Sequence, residues 1–120
     1  MKLEDIDVTR TYWFTSLSFS NQSFRLTSST RPTEVKLSAD TEGETNIKLS
    51  LSRAVDGSYF RSFYFSSYSI NNDLDLYGIF ETEEEAIEHW NKQVLIQIDK
   101  LQNYYEIKSK YLANKKIKKK

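Results

Sequence analysis

The chain contains a single histidine, His89, which is the side chain best suited to proton transfer or metal binding. Glu85 precedes it by four residues, so on a helix the carboxylate and the imidazole would share one face and could exchange a proton or hold a metal ion. A metal site needs a third ligand, and no residue at a suitable spacing supplies one. Glutamates are also common at helix starts. We therefore predict that His89 is a solvent-facing or sheet-edge residue without a catalytic role.

The other side chains that could take part in catalysis or metal binding show no functional arrangement, and the acidic ones lie at positions where exposure to solvent is a sufficient explanation. The three glycines are scattered and cannot build a phosphate-binding loop, and the absence of cysteine excludes a thiol nucleophile and cysteine-based metal sites. One histidine cannot serve as the base for the many serines. We predict no catalytic residue, no metal and no cofactor, and hence no enzyme. The acidic clusters fall in predicted turns or at the N-terminus: Glu4, Asp5 and Asp7; Glu42 and Glu44; Asp73 and Asp75.

The segment 61–68, RSFYFSSY, raises nucleic-acid binding as an alternative. It partly resembles the RNP1 pattern of RNA-recognition motifs, with a basic first position and aromatics at the third, fifth and eighth, but it lacks the small residues at Ser62 and Tyr64. The resemblance implies that bases stack on Phe63, Phe65 or Tyr68. A sheet followed by one helix is also similar in architecture to single-stranded-DNA-binding transcriptional coactivators and whirly folds. The other interpretation places these aromatics in the core.

Charge is divided along the chain although the formal total is zero. Residues 1–91 hold eight Lys and Arg against fifteen Asp and Glu, a net of −7, whereas residues 92–120 hold nine against two, a net of +7. An acidic body repels phosphate, which disfavours nucleic-acid binding there. The basic tail could grip phosphates or acidic proteins, or only solubilise the chain and complement the helix dipole. The candidate nucleic-acid contacts are Arg61, Phe63, Phe65, Lys115, Lys116 and Lys118.

Alternating apolar and polar residues predict five or six strands before residue 81. The clearest is 47–51, where Ile47, Leu49 and Leu51 alternate with polar residues, and Asp56-Gly57 follows as a hairpin turn. We expect a break at Arg31-Pro32. The predicted strands are 12–20 and 24–26 with a turn near Asn21, then 35–39, 47–51, 59–70 and 74–80.

A long helix is predicted from Glu83 to about Ala113, because Thr82 and Glu85 form a capping box and no Pro or Gly interrupts the segment. We expect Ile87, Trp90, Val94 and Ile98 to pack on the sheet. The helix would span about 45 Å, whereas a six-residue strand spans about 20 Å. About half of the helix would then extend past the sheet, and its apolar stripe would need another surface unless a long sheet covers it or its end frays.

Residues 82–91, TEEEAIEHWN, resemble the helix-opening segment of small phage-encoded proteins, including the restriction-alleviation family. In that family a zinc ribbon precedes the segment. This chain has no cysteine, so neither the ribbon nor its function can be transferred. The resemblance implies a small accessory protein of a mobile element.

Together these patterns predict one α+β domain, residues 1–114, with an antiparallel meander of five or six strands followed by one long C-terminal helix, and a disordered basic tail, 115–120. Neither an apolar leader nor an 18-residue apolar run is present, so we expect a cytoplasmic protein without membrane contact.

Our leading hypothesis is a non-enzymatic protein that inhibits or regulates a host protein by direct binding. The alternatives are a single-stranded nucleic-acid binder and a structural homo-oligomer that pairs through the helix. The predicted interface residues are Tyr64, Tyr68, Leu101, Tyr105, Tyr111 and Leu112.

Overall fold

The computed structural model describes residues 1–20, 25–43, 45–66 and 73–117. The strands are β1 (Thr11–Ser20), β2 (Arg25–Glu42), β3 (Asn46–Arg53), β4 (Tyr59–Ser66) and β5 (Ile79–Phe80), and the helix is α1 (Glu83–Ala113). Two short 3₁₀ helices, Leu3–Asp5 and Leu74–Tyr77, accompany them. The predicted α+β class, with an antiparallel sheet followed by one long helix, is confirmed. The turn predicted near Asn21 lies outside the described residues.

The five strands form one antiparallel sheet in the order β4-β3-β2-β1-β5. Strands β1 to β4 are a meander, in which each strand pairs with the next along the chain. The short β5 returns to the other edge, where Ile79 lies opposite Phe14 and Phe80 lies opposite Trp13. This return places the start of α1 beside β1.

The break predicted at Arg31-Pro32 is a bulge within one strand of 18 residues. Phe14 lies opposite Thr33 and Ser16 lies opposite Thr30, so Arg31 and Pro32 together face one residue of β1. Proline cannot donate a ladder hydrogen bond, and a bulge is one of the few places where a paired strand accepts it. The two strands predicted around this proline are therefore one.

The strand predicted at 74–80 is mostly a 3₁₀ helix. The Asp73 carboxylate accepts a hydrogen bond from the Asp75 N–H at 3.2 Å, which stabilises a turn at the start of this segment. Gly78, at φ +81°, ends the turn, and only two residues then pair with β1.

The sheet is curled, so that β1 and β4 meet across its concave face. The ring of Phe14 lies 5.6 Å from that of Phe60 and 6.0 Å from that of Phe63. Leu3 and Leu74 from the two 3₁₀ helices belong to the same cluster. The chain therefore fills this face with its own side chains, and the buried members are Leu3, Tyr12, Phe14, Val35, Leu37, Leu49, Leu51, Phe65, Leu74 and Ile79.

Helix α1 contacts β1, β2 and β5. Its buried residues are Ala86 and Gln97, and Trp90 and Val94 are half-buried. The prediction that Ile87 and Ile98 pack on the sheet is wrong, because these side chains are 41% and 45% exposed. The helix is turned so that the small Ala86 meets the sheet, which permits a close approach.

Candidate functional site

The C-terminal part of α1 extends beyond the sheet. Every residue described after Tyr104 is exposed, up to Ile117. We call residues 105–113 the projecting segment; they add about 14 Å to the helix. Partial burial of helix residues continues as far as Tyr104, well past the middle of α1, and β1 and β2 are longer than six residues, with 10 and 18. The expected overhang is therefore present but shorter.

The projecting segment carries large apolar side chains in water. Tyr105 is 73% exposed, Ile107 66%, Tyr111 57% and Leu112 67%. Tyr111 continues, at intervals of seven residues, the helix side that contains Gln97 and Tyr104. The helix side that packs on the sheet in the first half of α1 is therefore exposed to solvent in the projecting segment.

Cations lie beside the tyrosines of this part of the helix. The ammonium of Lys108 is 5.7 Å from the centre of the Tyr104 ring, and that of Lys115 is 5.1 Å from the centre of the Tyr111 ring. Lys110 pairs with Glu106 at 3.6 Å. The surface therefore combines aromatic faces with positive charge, a combination that suits an apolar partner edged with carboxylates.

The structure brings four of the predicted interface residues together. Leu101 is half-buried, and Tyr105, Tyr111 and Leu112 follow it on the exposed projecting segment. Tyr64 is 61% exposed, but it lies on β4, where the Lys48 ammonium is 5.9 Å from its ring centre. It belongs to a different surface. Tyr68 lies outside the described residues.

The candidate nucleic-acid contacts are divided between two regions. Phe65 is 4% exposed and packs on Tyr77 at 4.8 Å between ring centres, so it offers no free face to a base. Phe63 lies 5.4 Å from Tyr77 and 4.8 Å from the exposed Arg61 guanidinium. The tail residues Lys115 and Lys116 are exposed at the far end of α1, and Lys118 lies outside the described residues.

A cavity of about 310 Å³ lies where β1, β4, the second 3₁₀ helix and α1 meet. Arg61, Tyr77, His89 and Gln93 give it polar groups. The Arg61 guanidinium stacks beside Phe63 and, within the described part of the chain, pairs with no carboxylate. The residues that line the cavity come from four elements far apart in sequence, so no local sequence pattern could have predicted the cavity.

His89 lies at this junction, with its ring 5.0 Å from the ring of Phe80 on the edge strand β5. Burial lowers the pKa of its imidazole below the usual 6.5; Asp75 opposes this change and Lys92 adds to it. Across the ranges that the structure describes, no three His, Cys, Asp or Glu residues are grouped as metal ligands. His89 lies at the sheet edge beside β5, which is one of the two positions that we predicted for it.

No protein-family model, curated protein or solved structure matches this chain. The resemblance of residues 82–91 to phage accessory proteins therefore stays a prediction. In the described part of the chain, no helix has the length and hydropathy needed to cross a membrane.

Proposed function

We propose that this protein acts by binding another protein, without chemistry of its own, and that the projecting segment of α1 provides the contact surface. In this proposal it regulates or inhibits its target by occupying part of the target's surface. The observation that carries the proposal is the exposure of Tyr105, Tyr111 and Leu112 beyond the end of the sheet.

Energetics favour a bound state for these side chains. Full burial of one large apolar side chain is worth about 1.5–3 kcal/mol, and tyrosines are common anchors of interfaces because they combine ring area with a hydroxyl. Within the segment, Tyr105 and Leu112 are seven residues apart, so they lie on the same side of the helix and can enter one groove together.

The experiment is affinity capture with a tagged chain, in a nuclease-treated lysate that also contains an untagged copy. The test variant replaces Tyr105, Tyr111 and Leu112 with Glu. The control replaces Val55 and Tyr59 with Glu; they are 94% and 71% exposed in and just after the β3–β4 turn. Circular dichroism checks that both variants remain folded.

Proteins retained by the wild type and the control but lost by the test variant support the proposal. The target is then purified, and its affinity for both variants is measured by calorimetry. We expect at least a 100-fold weaker affinity for the test variant. Equal capture by all three chains would exclude the projecting segment as the contact surface.

Single-stranded nucleic acid is the second candidate ligand. It is favoured by one observation, the exposed Arg61 guanidinium stacked beside Phe63 without a carboxylate partner in the described ranges. Titration of a fluorescent oligonucleotide at 50 and 200 mM salt tests it, because phosphate contacts weaken steeply with salt. Absence of binding at 50 mM salt would eliminate this candidate.

A further inference from the structure

A second apolar line runs along α1, beside the side that contacts the sheet. It advances in the alternating steps of three and four residues that place side chains along a helix–helix contact. Relative to Ala86 it is turned by roughly a quarter of the helix circumference, at 100° per residue. We call this line the seam, and its apolar members are Ile87, Val94, Ile98, Leu101, Tyr105 and Leu112.

The seam is accessible in the single chain. Ile87 and Ile98 are 41% and 45% exposed although they lie along the part of α1 that contacts the sheet, and Tyr105 and Leu112 are 73% and 67% exposed beyond it. Two polar residues, Asn91 and Lys108, complete the pattern at intermediate positions and are exposed. The folded body therefore leaves four of the six apolar seam residues exposed and covers Val94 and Leu101 only in part.

We propose that the seam binds the seam of a second copy of this chain, with the two helices antiparallel. This inference rests on the proposed function because it uses the same helix surface: a second copy would bind there, and a target would compete with it for Tyr105 and Leu112. A two-fold axis between residues 99 and 100 would bring residue n level with residue 199 − n of the other copy. Each apolar seam residue then lies level with an apolar residue of the other copy: Leu112 with Ile87, Tyr105 with Val94, and Leu101 with Ile98. The two polar seam residues, Lys108 and Asn91, lie level with each other across the two copies.

Charge selects the antiparallel orientation. The first turns of α1 contain Glu83, Glu84, Glu85 and Glu88, whereas the far end is basic. The same two-fold axis brings Lys115 level with Glu84, and Lys116 level with Glu83. A parallel pair would instead place two segments of net charge +7 side by side. Opposite charges at matching heights favour the antiparallel pair and like charges disfavour the parallel one.

The first test is the mass in solution, measured by light scattering over a range of concentrations. The expected value is twice the 14.1 kDa of the chain. In the test variant, Ile98 and Tyr105 are replaced with Glu. In the control, Ile96 and Ile107, which are 43% and 66% exposed on the opposite flank, are replaced with Glu. We expect the test variant to dissociate at least 100-fold more readily than the control and the wild type.

The second test determines orientation by disulfide formation, which is clean because the chain has no cysteine. Val94→Cys and Tyr105→Cys are made in separate chains of different length. The antiparallel pair predicts disulfides mainly between the two different chains when they are mixed. A parallel pair predicts that each variant links to itself. Val55→Cys, on the β3–β4 turn, measures cross-linking by random collision.

A monomer at every concentration, or cross-linking of each variant only to itself, overturns the inference. The capture experiment then separates the two proposals. A foreign protein lost with the Tyr105, Tyr111 and Leu112 variant would leave the proposed function standing with a different partner. If the chain is monomeric and capture is unchanged in that variant, both proposals fail.

Discussion

Gly78 lies directly against the backbone of Thr15. The Thr15 N–H donates a hydrogen bond of 2.9 Å to the Gly78 carbonyl, and a Cβ at position 78 would overlap the Thr15 carbonyl oxygen. Gly78 also has a φ of +81°, which side chains with a Cβ adopt at a cost. Gly78→Ala should therefore lower the free energy of unfolding, measured by urea denaturation, through both strain and overlap.

Gly57 offers a matched control, because its φ is +72° but no atom lies within 4 Å of the position its Cβ would take. Gly57→Ala should lower the unfolding free energy by about 1–2 kcal/mol through backbone strain alone. Gly78→Ala should lower it by about 1–3 kcal/mol more, since overpacking is added. Equal effects of the two substitutions would show that β5 can move away from β1 without penalty.

Gln97 is the polar residue that α1 buries against the sheet. It is 8% exposed, and its Oε1 atom has no hydrogen-bond partner among the described residues. Removing an unsatisfied buried polar atom while keeping the side-chain shape is stabilising, so Gln97→Met should raise the unfolding free energy by about 1 kcal/mol. Gln93→Met, at a half-buried position of the same helix, should change it by less than about 0.5 kcal/mol. A destabilising Gln97→Met would mean that the amide is satisfied in solution.

The features predicted correctly are those that local patterns determine. Leu49 and Leu51 are buried as their alternation indicates, and α1 begins where Thr82 accepts the Glu85 N–H, as the capping box predicts. The bulge at Pro32 was missed because it depends on the pairing of β2 with β1. Likewise, the rotation of α1 depends on the fit of Ala86 to the sheet rather than on the most apolar line of the helix.

The candidate site also combines features that the sequence could predict with features that it could not. The overhang of α1 could be predicted from helix rise and strand length alone, although the length of β2 shortened it. The cavity beside Arg61 could not, since Arg61, Tyr77 and His89 meet only when the curled sheet and the helix are both in place. Pairing through the helix is a sequence-based prediction, and the exposure of Ile87 and Ile98 extends the available surface toward the start of α1.

His89 should make the stability of the fold depend on pH in the mildly acidic range. Its folded pKa is lowered, first by burial, so the unfolded chain binds the proton more readily. This contribution is complete above pH 6.5 and is lost as the pH falls below that value toward the folded pKa. The nearby charges act in opposite directions, since Asp75 raises the pKa and Lys92 lowers it.

The measurement is the difference in unfolding free energy between pH 7.5 and pH 5.5, for the wild type and for His89→Gln. The wild type should lose more stability than the variant, which lacks the imidazole. Because the chain has one histidine, its imidazole proton signal gives the titration directly by NMR. A midpoint at or above 6.5 would contradict the burial of this side chain against Phe80.

Removal of residues 105–120 distinguishes the stability of the single folded chain from the stability that association with a partner adds. The described residues of this segment are all exposed, and the core cluster contains none of them. The truncated chain should therefore melt within about 2 °C of the full chain in dilute solution, where partners dissociate.

If the partner is a second copy, the melting temperature of the full chain should rise with concentration, because association stabilises the folded state by mass action. The melting temperature of the truncated chain should stay constant. Scanning calorimetry across a 100-fold concentration range measures this divergence. Parallel curves for the two chains would show that the end of α1 does not contribute to self-association.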